Sequence, residues 1–287
     1  KTDNAIANSS LTVSVKQRGA EICSVKSAAG VEYLWQADPA VWPRHAPILF
    51  PIVGKLANDR YVHAGRTYAM KQHGFARDLD FELVDAARES LAFRLLPSAA
   101  TREQYPFEFE LAVRYRLDAN HVAIEYVVRN NGQAPMPFSI GAHPGFALTW
   151  GLGDRIEDYF LEFERTETAD PHLLGADHLL SGETVPALEK GKVLPLRREL
   201  FDRDALLFLG LASHKVSLCS RRQGRRLTVE FPGFPDLGIW AKPAAPFVCI
   251  EPWYGHADPP QSDGILFHKP GIIKLPPGGA FKCEHRI

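Results

Sequence analysis

"FEFELAVRYRLDANHVAIEYVVRNNG", residues 107–132, alternates apolar and polar residues on both sides of one short turn. Phe107, Phe109, Leu111, Val113, Tyr115 and Leu117 share one parity, with Glu108, Glu110, Arg114 and Arg116 between them. Side chains of a strand point alternately to its two faces, so this spacing predicts two strands, each with one face to bury. Asp118-Ala119-Asn120 has the turn chemistry that folds the second strand back on the first.

The same period recurs outward from this hairpin. "LTVSVKQRG" puts Leu11, Val13 and Val15 on one face, and "AEICSVKSAAGVEYLW" reads as two strands around a turn at 28–30. Alternation continues in "LDFELVD", "SLAFRLL", "DYFLEFERTE" and "HKVSLCSRRQGRRLTVEFPG". Helical signals are thin: "TREQYPF" (101–107) and "FDRDALLFL" (201–209) each admit about one turn. Residues 166–200 alternate weakly and read as a long excursion. Many short strands with 22 Gly and 22 Pro predict an all-β fold, a large antiparallel β-sandwich with few short helices. No repeat or linker divides the chain, so one domain over residues 1–287 is expected.

Composition narrows the function classes. Apolar residues make up 45% of 287, enough for a sizeable core, and the formal net charge is −1. That balance gives no field for nucleic acid or an anionic membrane, and the basic run "SRRQGRRL" (220–227) reads as a charged hairpin tip. No apolar run approaches the ~20 residues of a membrane span, and the opening "KTDNAIANSS" lacks a secretory hydrophobic centre. A cytoplasmic protein is expected. Cys23, Cys219, Cys249 and Cys283 form no CxxC; Cys219 and Cys249 lie in strand-like runs and read as small buried hydrophobes.

Ionisable residues recur where apolar runs meet turns. "QHGFARDLDF" (72–81) sets His73 before Gly74 and carries Arg77 and Asp78. "FSIGAHPGFAL" (138–148) sets His143 between small residues and a Pro-Gly turn, with Gly141 and Ala142 clearing space before it. "CIEPWYGHADPP" (249–260) ends an apolar run on Glu251, where low-dielectric surroundings can tune a carboxylate toward base catalysis. "FDRDALLF" adds Asp202 and Asp204, and "FPIVGKLANDRY" adds Lys55, Asn58 and Arg60. A strand-end histidine or glutamate is as often a hydrogen-bonded loop residue; the repeated context is what favours a site. "GLGDRI" (151–156) lacks a third glycine and reads as a turn, and no phosphate loop, HExxH or GxSxG occurs. His73, His143 and Glu251 would make a possible His2Glu metal set, but they come from distant strands, so no metal is expected.

Taken together, "YLWQADPAVWPRHAPILFPIVGKL", "QHGFARD", "YPFEFEL", "FSIGAHPGFAL", "CIEPWYGHAD" and "LPPGGAF" resemble the aldose 1-epimerase (galactose mutarotase) family, in its divergent branch. The resemblance runs from about residue 20 to the end. It implies an antiparallel β-sandwich with an open sugar cleft and no cofactor. It implies Glu251 as the catalytic base, His143 as the general acid, and His73 as a histidine that holds and polarises the sugar. Arg77 falls where a hydroxyl- or phosphate-binding group is expected. Asp204 matches the substrate-binding aspartate, though "FDRDALLF" also permits Asp202. Lys55 stands in for part of a Gly-Arg and Asn-Arg-Ile pattern whose spacing is altered here. The Thr-Gln that follows the base in galactose enzymes is Pro252-Trp253, so galactose specificity does not follow. Trp253 and Tyr254 are candidates to stack on a sugar face.

The expected partner is an aldohexose or its phosphate, the expected state monomer or homodimer. A non-catalytic carbohydrate-binding protein on the same scaffold is the alternative, since fold does not fix function. Two histidines and a glutamate argue against it, because pure binding needs no acid–base pair. A glycosidase usually needs two facing carboxylates, and only Glu251 has a convincing context.

Overall fold

The structure, a computed structural model, describes residues 3–224 and 226–287; Lys1 and Thr2, within the polar opening, and Arg225, within the basic run, lie outside the described residues. The hairpin at its centre is Phe109–Asp118 paired with His121–Asn130, turning on Ala119 at φ 51°. Leu111↔Val128, Val113↔Tyr126, Tyr115↔Ile124 and Leu117↔Val122 face each other, all buried. The opposite face carries charge, with Arg129 Nε 3.7 Å from Glu110 Oε1. The alternation is therefore read out as one dry face and one wet face.

This hairpin sits in a nine-stranded sheet. Ser90–Leu95 and Glu82–Ala86 extend it one way; Ala280–Arg286, Arg226–Glu230, Lys215–Ser220, Tyr159–Phe163 and Val193–Pro195 extend it the other. An eight-stranded sheet lies against it, running Leu180–Thr184, His172–Leu174, Leu206–Leu209, Asp236–Trp240, Phe247–Tyr254, Ile140–Ala142 and Ile48–Leu49, with Gly145–Ala147 also on Phe247–Tyr254. Every strand pairing within the two sheets is antiparallel. One hydrophobic cluster joins the facing sides: Phe163 meets Phe208 across it at 5.0 Å. Val13 and Val15 of the small N-terminal sheet enter the same cluster.

Several expectations change in detail. The turn at 101–107 is a helix, Ala99–Gln104, started by Ser98, which accepts from Thr101 N–H while Thr101 Oγ1 accepts from Ser98 N–H. "FDRDALLFL" is not helical beyond the short 3-10 turn Arg198–Phe201; Leu206–Leu209 is a strand, because Leu206 and Phe208 enter the core while Leu207 faces the other way. Residues 166–200 contribute edge strands to both sheets. Only the first half of "AEICSVKSAAGVEYLW" is a full strand, Ile22–Ser27, and the second half holds isolated bridges at Glu32 and Leu34. All four cysteines are buried and free. No helix among the described residues is long and apolar enough to cross a membrane.

Candidate active site

The strand Phe247–Tyr254 is the floor of the site. Val248 and Ile250 point into the inter-sheet core, while Phe247, Cys249 and Trp253 join clusters on the outer face. Glu251 shares that outer parity and is 1% exposed. It lies in the strand's interior, opposite Gly238, rather than at a strand end as expected. Pro252 does not end the strand, and the ladder shows why. Ile250 N–H donates to Pro144 O at 3.2 Å, and alternate residues point their N–H groups the same way. The N–H that Pro252 lacks would thus face Ala142, one residue past the last ladder pair of that strand, Gly141↔Trp253.

His143 sits in that break. Its N–H donates to Pro47 O at 3.1 Å, and its ring stacks on Trp42 at 5.1 Å. Nε2 lies 3.1 Å from Glu251 Oε2, yet off the line of a hydrogen bond, so Oε2 keeps no aligned donor. The small neighbours of His143 admit indoles more than they clear a path to the ring. A Cβ on Gly141 would come 2.6 Å from Trp253 Cδ1, and one on Gly145 would come 2.9 Å from Trp42 Cζ3.

His73 holds the second wall at φ 65°. Its N–H donates to Gly54 O at 2.9 Å, and Gly54 N–H donates to its Nδ1 at 3.1 Å. An accepting Nδ1 places the ring proton on Nε2, which makes a donor for a ligand oxygen. Arg77 Nη2 donates to Gln72 O at 2.7 Å, while Nε is buried without a partner. Asp204, at φ 72°, accepts from Ala205 N–H and lies 2.6 Å from His178 Nδ1.

These groups line one cleft of about 220 Å³. The size suits a small polar molecule and falls below typical drug-sized pockets of roughly 300–1,000 Å³. Glu251, His143, His73, Arg77 and Asp204 all reach it. Asp202 is exposed after the 3-10 turn, so of the two aspartates Asp204 is the one at the cleft. Lys55 is not brought to it: its ammonium pairs with Asp59 at 2.8 Å, and neither Asn58 nor Arg60 lines the cleft. Tyr254 points away and packs on Phe234 at 4.7 Å. Trp42, Trp240 and His178 complete the walls, and no role was read for them from sequence. His178 follows Gly175 and Asp177 in a turn, a signal of the kind that marked His73.

Electrostatics follows from burial. Desolvation pushes Glu251 well above the usual carboxylate range, with nearby Asp204 adding to the rise. Desolvation, helped by Arg77, holds His143 down at about 3. His73 is likewise lowered, first by burial and then by Arg77 and His143. Arg77 itself is brought down to about 10 by burial. Burial therefore favours the neutral form of both the carboxyl and the imidazole on this floor, flanked by a neutral histidine donor and a cation.

A sequence model of the aldose 1-epimerase family matches residues 4–259. The chain belongs to the aldose 1-epimerase family. The plasmid and chromosomal LacX proteins of Lactococcus lactis are 37% identical to it over 291 residues, covering 98% of this chain and 97% of theirs. A galactose mutarotase related enzyme from Lactobacillus acidophilus superposes with a TM-score of 0.94 at 38% identity, covering 99% of this chain and 96% of that one. A galactose mutarotase-like protein from Lactobacillus casei gives 0.93 at 32%, covering 99% and 98%. The aldose 1-epimerase fold is thus the antiparallel sandwich expected from the alternation, and its cleft lies on the outer face of the smaller sheet.

Proposed function

We propose that this protein is a mutarotase, interconverting the α- and β-anomers of an aldohexose or its phosphate by acid–base ring opening. The observation that carries the reading is the 3.1 Å approach of His143 Nε2 to Glu251 Oε2 on a buried floor. In the reaction Glu251 takes the C1 hydroxyl proton while His143 gives one to the ring oxygen. The C–O bond to the ring oxygen breaks and C1 becomes an aldehyde. Rotation about C1–C2 presents the other carbonyl face, and the same transfers in reverse close the ring.

The proton count fits this cycle. A carboxylic acid beside a neutral imidazole holds as many protons as a carboxylate beside an imidazolium. Moving one proton from the acid to the imidazole therefore reaches the working form without net uptake from water. In this reading His73 Nε2–H and Arg77 hold sugar oxygens, and Asp204 accepts from a hydroxyl. These transfers never touch a carbon-bound hydrogen.

The test is proton NMR of a freshly dissolved α-aldohexose, and of its 6-phosphate, in heavy water. The approach to the α/β equilibrium should accelerate, with the C1 and C2 signals keeping their combined intensity. Deuterium entering C2 at the rate of anomer exchange would refute the assignment. Saturable binding with no acceleration on any aldose would instead identify a carbohydrate-binding protein.

A further inference from the structure

Cys249 has no part in the ring-opening chemistry, yet it stands beneath it. It is fully buried, two residues before Glu251 on the same face of the same strand. Its Sγ, a ring nitrogen of His143 and a carboxylate oxygen of Glu251 all lie within 4.8 Å of one another. Glu251 Oε2 is buried and lacks an aligned donor. Sulfur, nitrogen and carboxylate oxygen are the donors zinc takes, and three protein ligands leave its fourth position open. Around a tetrahedral zinc such atoms stand roughly 3.4–3.7 Å apart, so side-chain rotations of about 1 Å close the site. A hard cation such as magnesium has no use for the thiolate.

The geometry points to a thiophilic divalent cation, zinc in the first place, binding Cys249, His143 and Glu251 at the cleft floor and blocking the sugar reaction. As the ion binds, the thiol and the carboxylic acid each release a proton to solvent and the imidazole donates a lone pair. The carboxylate and imidazole are then tied to metal and no longer free to move the sugar's protons. The binding site rests on this donor set alone; the block rests on the mutarotase reading.

Titration of metal-free protein with cobalt(II) chloride separates the two. One equivalent should produce a near-ultraviolet thiolate-to-cobalt charge-transfer band, which zinc then displaces. Cys23, Cys219 and Cys283 lie elsewhere, so Cys249→Ala should abolish the band. Cys249→Ser, closer in volume, should do the same. In wild-type protein zinc should inhibit anomer exchange and magnesium should not. Cys249→Ala should keep the metal-free rate within about twofold and need on the order of 10²-fold more zinc for inhibition. Absence of a thiolate band at stoichiometric cobalt would overturn the site, as would equal zinc inhibition of wild type and Cys249→Ala. A Cys249-dependent band in a protein without anomer exchange would uphold the site and sink only the mutarotase reading.

Discussion

In the unfolded chain the Glu251 carboxyl titrates near its ordinary 4.5, whereas burial raises it well above that in the fold. Below the ordinary value both states hold the proton and the group is neutral to stability. As pH climbs, the unfolded chain gains by ionising while the fold keeps its proton. Stability then falls by about 1.4 kcal/mol per pH unit until the folded value is reached. Glu251→Gln removes that ionisation, and its amide can donate to His143 Nε2. The variant should therefore melt a few degrees higher than wild type at pH 7, with the difference vanishing near pH 4. Its mutarotation rate should fall by at least ~10²-fold, the scale of a lost general base. Parallel calorimetry and NMR on both proteins check this; near-wild-type turnover would remove Glu251 from the chemistry. Reading this tension from sequence was possible in part. The apolar run before Glu251 signals a low-dielectric setting, but the missing donor on Oε2 depends on a histidine more than a hundred residues away.

At the scale of the element, Phe247–Tyr254 is a strand with no exposed face. Its outer residues need neighbours without side chains, because an indole lying against a sheet occupies the space of a Cβ on the adjoining strand. Gly141, opposite Trp253, meets that need. Gly141→Ala places a methyl 2.6 Å from Trp253 Cδ1 and 3.2 Å from Val53 Cγ2, which the packed wall cannot absorb without displacement. A loss of about 1–3 kcal/mol in chemical unfolding is expected, with weakened sugar binding, since Trp253 lines the cleft. Unchanged affinity in a destabilised variant would show that Trp253 does not shape the sugar site. The glycine was conspicuous in the sequence and its purpose was not. Register decides which side chain a small residue accommodates, and register is set by pairing between distant segments. The same limit explains Trp42 and His178, which sit in segments without alternation and reach the cleft only through the fold.

Across the whole molecule, the two faces of the eight-stranded sheet separate the inter-sheet core from the cleft. Phe163, fully buried, packs on Phe208 across the inter-sheet core and is not among the residues that line the cleft. Phe163→Ala should cost about 3–5 kcal/mol in equilibrium unfolding while leaving kcat/KM within a few-fold of wild type. A large kcat/KM loss in still-folded protein would mean the core reaches through the sheet to the catalytic pair. Alternation is a local signal carried along each long strand, so the antiparallel sandwich is legible in the amino-acid sequence alone. Edge strands such as Val193–Pro195 are not, because short, half-covered segments need little alternation. The floor strand carries the same division at the finest grain, for Val248 and Ile250 serve the core while Glu251 and Trp253 line the cleft. Inheritance of the fold and choice of substrate are thereby written in interleaved codons. One set can be changed residue by residue while the other stays as it was, so what the cleft accepts can be altered without altering the shape that carries it.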